Sequence, residues 1–263
     1  MKLNVIKATL LVAFLVFTTW LTVIGLNTNT ARIDFKALEK SRTEAMNKQS
    51  ESSFESMLKN IGNTTRLIKP DILTSTDTAR LSLAIRLLDS NKQYAYAGVL
   101  SEKLARLQTS SYRYFMASKY FLTETYSHQN PQNELMYIKR ARMNLEKSLE
   151  ISPSNNDAKV DLAICIYNIN KMQGTDNQME LMKPTLLLLE VERADSSHID
   201  AVYYLASLSR EIGKYEKAVA RFKKLVSLQP QNQQFYLELS KTYEIMGNQT
   251  EAKAWADKAR NLK

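Results

Sequence analysis

The sequence predicts an all-α protein built as a row of stacked helix pairs. Three observations carry that reading. Residues near the end recur at one interval: Leu205-Ala206 returns as Leu239-Ser240, Gly213 as Gly247, Ala218 as Ala252 and Leu225 as Ala259, each 34 positions later. Within a period the apolar residues fall on helical stripes, Leu205, Leu208 and Ile212 on one and Ala218, Val219, Phe222, Leu225 and Val226 on the next. Finally, 6 Gly and 5 Pro in 263 residues supply few turns, which suits long helices and not a sheet.

Each repeated residue has a physical job. Gly213 sits where the first helix of a pair must stop and turn. Small Ala206 and Ala218 let two helices approach closely. Pro230 closes the second helix and starts the next unit. A Leu followed by a small residue, a mid-period glycine and a closing proline, at this period, resembles the tetratricopeptide repeat. The resemblance implies a tetratricopeptide-repeat α-solenoid of about five helix hairpins. It departs from the family pattern at Val202, where an aromatic is common, and at Ser209, where Tyr is frequent. The next repeat has Tyr236 and Tyr243 there.

Residues 8–26 carry no charge across 19 positions, about 28 Å as a helix, close to the hydrocarbon thickness of a bilayer. Lys2 and Lys7 precede this stretch and Asn27-Thr-Asn-Thr-Ala follows it, so the positive flank is expected to stay in the cytoplasm. A membrane anchor over 1–29 is the expectation. A cleaved secretory leader is the alternative, with Val23 and Gly25 as small residues before a cut. Either way the bulk of the chain is expected outside the cytoplasm; with the anchor it is a single-pass inner-membrane protein with a periplasmic repeat domain. Residues 30–75 read as a helical or flexible stalk. They carry no sustained heptad that would make them a self-associating helix.

The repeat domain is placed at 76–263, with earlier units found by projecting backward. The first holds Leu81, Ala84, Ile85 and Leu88, with Asp77 or Thr78 as cap, then Tyr94, Ala97, Leu100 and Leu104. The second runs from Ser111 through a loop containing Pro131 to Ser152-Pro153. The third starts near Asn156, and its second helix contains Pro184, expected in the first turn where its missing N–H costs little. The chain stops soon after the fifth unit, and the flank there leaves room for a partner or a second copy of this chain.

Catalytic sets are nearly absent. His128 and His198 read as surface residues. There is no phosphate-binding glycine loop, zinc-protease helix or nucleophile elbow. Cys165 stands alone in an apolar run, so no intrachain disulfide or cysteine cage is available. No enzyme activity, cofactor or metal is expected. The net charge of +9 raises nucleic acid or an anionic lipid surface as partners. The cations are spread along the helices, apart from Lys217, Arg221, Lys223 and Lys224, and nucleic acid is not expected.

In the resembled family the first helix of each unit lines a concave groove that accepts a peptide or partner helix. Carried over by position, this implies groove residues Tyr114, Ser118 and Phe121 in the second unit and Val160, Ile164 and Tyr167 in the third. The fourth offers Tyr203, Ser207 and Arg210, and the fifth Leu237, Lys241 and Glu244. The Lys and Asn set with which some members grip a C-terminal carboxylate is replaced by Ser82, Arg86, Val160 and Ile164. The function this implies is a membrane-anchored adaptor for protein or peptide partners in assembly of an envelope complex. Accessory factors of cytochrome c maturation or of secretion share that layout.

Overall fold

The computed structural model describes residues 70–127 and 133–262, together with 44–49, 52–54, 56–57 and 68. The apolar run 8–26, His128 and the Pro131 connection lie outside the described residues. The chain divides after Glu51 into two units, and the helices below all belong to the second. A 3-10 turn over Pro70–Leu73 precedes five helix pairs. They are α1 (Thr78–Ser90) with α2 (Tyr94–Leu107), α3 (Ser111–Ser127) with α4 (Glu134–Ile151), and α5 (Asn156–Gln173) with α6 (Gln178–Ala194). Then come α7 (Ile199–Glu211) with α8 (Tyr215–Leu228) and α9 (Gln233–Ile245) with α10 (Gln249–Arg260). No strand occurs among the described residues, and no described helix is long and apolar enough to cross a membrane.

The starts of these helices follow from short polar side chains. Asp77 accepts from the amides of Ala79 and Arg80 at 2.9 and 3.1 Å. Asn155, Asn177, Asn232 and Asn248 do the same for α5, α6, α9 and α10. His198 caps α7, its Nδ1 facing the Ala201 amide at 3.4 Å. The ends repeat too. Gly213 and Gly247 turn with φ of 74° and 78°, and Lys92 takes the same place after α1 with φ of 59°. In each case the following residue, Gln93, Lys214 or Asn248, donates its amide back to the helix, to Leu88, Ser209 and Tyr243. The first turn is thus closed without glycine, in a conformation that costs a lysine more.

Each helix packs mainly against the helices before and after it in the chain, so stability is passed from neighbour to neighbour. Ala206 and Ala218 are fully buried where α7 meets α8. Gly98 does the corresponding job between α2 and α3. A Cβ there would lie 3.0 Å from the Phe121 ring, which is itself fully buried. Polar contacts join one unit to the next along two rails. On the first helices these are Lys119 to Asp161 at 2.9 Å, Tyr167 to Glu211 at 2.7 Å and Arg210 to Glu238 at 2.6 Å. On the second helices they are Arg140 to Glu102 at 3.3 Å, Arg142 to Glu180 at 3.8 Å and Arg221 to Glu192 at 3.1 Å. A solvent-exposed pair contributes up to about 1 kcal/mol. Arg210 with Glu238 and Arg140 with Glu102 are largely enclosed, and there desolvation offsets much of the attraction, so the rails chiefly set register.

Pro184 departs from the expectation. It is the seventh residue of α6, not a first-turn residue, because Asn177 starts the helix two turns earlier. There the ring removes the amide that would bond the Glu180 carbonyl. The buried side chain of Asn170, on α5, donates its Nδ2 to that carbonyl at 2.9 Å instead. Asn170→Ala is therefore expected to cost about 1–3 kcal/mol by leaving that carbonyl without its donor. Adding Pro184→Ala should recover most of that loss, since residue 184 then supplies its own N–H. Urea denaturation of the two single variants and the double variant checks this. Independent, additive losses would count against the substitution of one donor for the other.

Candidate functional site

The second, third and fourth pairs line an open pocket of about 230 Å³ on the first-helix side. Its floor is apolar: Ala163 and Ile164 from α5, Pro184 and Leu188 from α6. Its rim carries Tyr126 at the end of α3, Tyr167 and Asn168 on α5, and Tyr204, Leu208 and Glu211 on α7. The arrangement follows from helical spacing. Tyr204, Leu208 and Glu211 lie at intervals of four and three, so they share one face of α7, the one turned toward α5. The hydroxyl of Tyr167 lies 2.7 Å from both carboxylate oxygens of Glu211 and closes one edge. Burial, and then that carboxylate, push the Tyr167 hydroxyl up to about 12. Tyr204 titrates above the ordinary tyrosine range through burial first and Asp200 second.

Glu211 is the carboxylate in the lining, and a separate polar cluster lies one or two turns toward the start of α5. Asp161 is held above the usual carboxylate range by burial, opposed by Lys119 and reinforced by nearby Asp157 and Asp200. Asp157 in turn lies 3.1 Å from His198 Nε2. Cys165, behind the pocket wall, is buried and its thiol is pushed up by desolvation, so it is an inert packing residue. Among the described residues no three of His, Cys, Asp or Glu come together as metal ligands would.

A second hollow, of about 290 Å³, lies between the first two pairs. Ile85 and Arg86 of α1, Leu104 of α2, and Tyr112, Arg113 and Tyr120 of α3 line it. Its charges are guanidinium groups, so the face changes sign along its length.

Two of the residues inferred by position, Ile164 and Tyr167, line the main pocket. Tyr114, Ser118, Phe121 and Val160 are buried in helix packing and offer a ligand no surface. Tyr203 stacks in a ring cluster, 6.1 Å from the centroids of both Phe222 and Phe235. Arg210 is committed to Glu238 and lies 5.3 Å from the Phe222 ring. Ser207 is half-buried, while Leu237 and Lys241 are exposed on α9, away from either pocket. Positional transfer does not select Tyr126, Tyr204, Leu208 and Glu211, which the pocket also holds. On α7 it selected 203, 207 and 210, one residue short of 204, 208 and 211, a rotation of about 100°. The inferred stripe faces the following unit and the pocket stripe faces the preceding one. Val202, Leu205, Ala206 and Ser209 form the buried face, which leaves Tyr204 and Leu208 half-buried and Glu211 exposed on the flank toward α5.

Comparison with known proteins agrees with the architecture. Residues 199–232 match the family model described as tetratricopeptide repeat. MamA 41-end from Desulfovibrio magneticus RS-1 superposes with a TM-score of 0.56 at 15% identity, covering 71% of this chain and 95% of that one. Another MamA crystal structure gives 0.53 at 16% identity over 66% and 91% of the two chains. YrrB, described as a TPR protein with an unusual peptide-binding site, gives 0.50 at 17% identity over 72% and 87%. A curated relative, the inactive peptidyl-prolyl cis-trans isomerase shutdown of Bombyx mori, is 29% identical over 118 residues, 45% of this chain. The match spans only 24% of that relative's length. Residues 199–232 are therefore a tetratricopeptide repeat, and the helix pairs of residues 78–260 form a solenoid of the tetratricopeptide type.

Proposed function

We propose that this chain is a non-catalytic, membrane-tethered scaffold. It holds a segment of a partner protein against its first-helix face, outside the cytoplasm, while an envelope complex is assembled. Maturation of cytochrome c and secretion are two settings such a scaffold suits. The observation that carries the reading is the open pocket with an apolar floor of Ile164, Pro184 and Leu188 beneath a polar tyrosine rim. A few placed polar groups over apolar walls is the usual make-up of a recognition site. The uncharged run 8–26 after Lys2 and Lys7 supports the tether. The peptide-binding site described for YrrB lies on the same fold and is compatible with the reading. Nucleic acid fits less well. Arg221, the centre of the α8 cation cluster, is engaged by Glu192, and Lys223 lies 5.7 Å from the Tyr243 ring centroid.

The test is site-specific photocrosslinking in intact membranes, with a photoreactive residue at position 126 or, as a control, at exposed Lys253. Position 126 should give discrete protein adducts that Leu208→Gln removes while helicity is kept. Identical adducts from both positions, or adducts unchanged by Leu208→Gln, would sink the placement of the groove. Protease access from each side of the membrane reports the orientation.

A further inference from the structure

We infer that the pocket between α5 and α7 takes the side chain of a single lysine or arginine from the bound segment. The inference rests on the scaffold reading and adds the chemistry of what is recognised. At about 230 Å³ the pocket is smaller than the roughly 300–1,000 Å³ of sites that enclose a whole small ligand, so one long side chain suits it. Its depth and mouth make different demands. Ala163, Ile164 and Leu188 at the bottom offer nothing to a polar group. The mouth offers three phenol rings and the Glu211 carboxylate.

A long cationic side chain meets both. Its methylenes cover the apolar floor while its charge remains at the rim. Tyrosine faces attract cations, and Glu211 supplies the opposite charge. An acidic side chain would meet Glu211 with like charge. An aliphatic side chain would fill the floor and leave the tyrosine–carboxylate rim without a counter-charge. The chain's own Lys171 shows the preference of this rim: its ammonium lies 5.8 Å from the Tyr167 ring centroid, one turn along α5. Lys171 is exposed and stands outside the pocket lining, so it acts as a competitor at the rim.

The experiment uses the purified full-length chain and a positional-scanning library of fluorescent dodecapeptides, read by anisotropy. Each position is fixed in turn as Arg, Lys, citrulline, norleucine or Glu. Citrulline keeps the shape of arginine without its charge, and norleucine keeps the apolar stem. At one position Arg or Lys should bind about tenfold more tightly than citrulline or norleucine. Glu211→Gln, at an exposed carboxylate, should abolish that preference without weakening the norleucine peptide. Lys171→Gln should strengthen the Arg peptide. Peptides that bind with no cation preference, or a preference that survives Glu211→Gln, overturn the inference and leave the scaffold reading standing. No peptide binding by a helical, folded chain overturns both.

Discussion

Replacing Phe222 with alanine is expected to cost about 3–5 kcal/mol and to loosen the last two helix pairs before the others. Phe222 is fully buried on α8, in a cluster with Val202 and Ala206 of α7, Phe235, Leu239 and Tyr243 of α9, and Ala252 of α10. The ring therefore belongs to an interface between units as much as to its own pair. Tyr203 meets it edge-on at 6.1 Å and 71°, a geometry aromatic rings favour. The ring also lies 5.3 Å from the Arg210 guanidinium. Truncation removes the hydrophobic transfer of the ring and leaves a cavity walled by four helices, which cannot collapse without shifting a unit. Because each helix leans mainly on its neighbours, the effect should stay local. Hydrogen exchange on the variant should show lost protection in 199–260, while the α3–α4 amides keep theirs. A uniform loss along all five pairs would contradict nearest-neighbour stacking. A cost below about 1 kcal/mol would contradict the packing itself.

How much of this was legible in the sequence depends on the range of the interaction concerned. Helix ends are local events. Gly213 and Gly247 could be placed from their spacing alone, since within their pairs the first helix ends in a left-handed residue, the conformation glycine adopts most readily. Lys92 shows the limit, because the same turn is made there by a residue that does not announce it. Pro184 was misplaced by one step of local logic. A proline is easiest in a first turn, but the donor that lets it sit deeper is Asn170, on another helix. Gly98 passes unnoticed in the sequence for the same reason: only the approach of Phe121 from α3 makes it necessary. The pocket lies at the far end of this scale. Helical period tells which residues of α7 are fully buried, yet two less buried stripes flank them, one facing α5 and one facing α9. Choosing between them requires the order of stacking in space, which periodicity does not contain. Family position picks the stripe facing α9 on α7, and on α5 it picks Ile164 and Tyr167, which line the pocket.

Arg210 shows why that choice matters for experiment. Arg210→Ala is expected to cost about 3 kcal/mol, with no direct effect on a ligand in the α5–α7 pocket. The side chains of Arg210 and Glu238 are 14% and 11% exposed and meet at 2.6 Å. Arg210 also reaches Thr242 at 3.3 Å, while Gln234 supports the other Glu238 oxygen at 2.8 Å. Removing the guanidinium alone leaves a mostly enclosed carboxylate with one neutral amide for company, and such a charge costs several kcal/mol when its partner is lost. Removing both charges is a different case. Attraction within a buried pair roughly offsets the desolvation of its members, so well-packed apolar replacements are often neutral. Arg210→Met with Glu238→Leu should therefore recover most of the single-variant loss, to within about 1 kcal/mol of the parent in urea denaturation. The contact lies between the first helices of the fourth and fifth pairs, so the parent and the double variant should differ in how firmly α9 docks, read by exchange at 233–245. If the double variant is as unstable as Arg210→Ala, the ion pair is a net stabiliser of this junction. The first-helix rail then contributes energy to the stack as well as register. Full recovery would mean that hydrophobic packing around Phe222 and Phe235 holds the two units together and that the ion pair only selects their alignment.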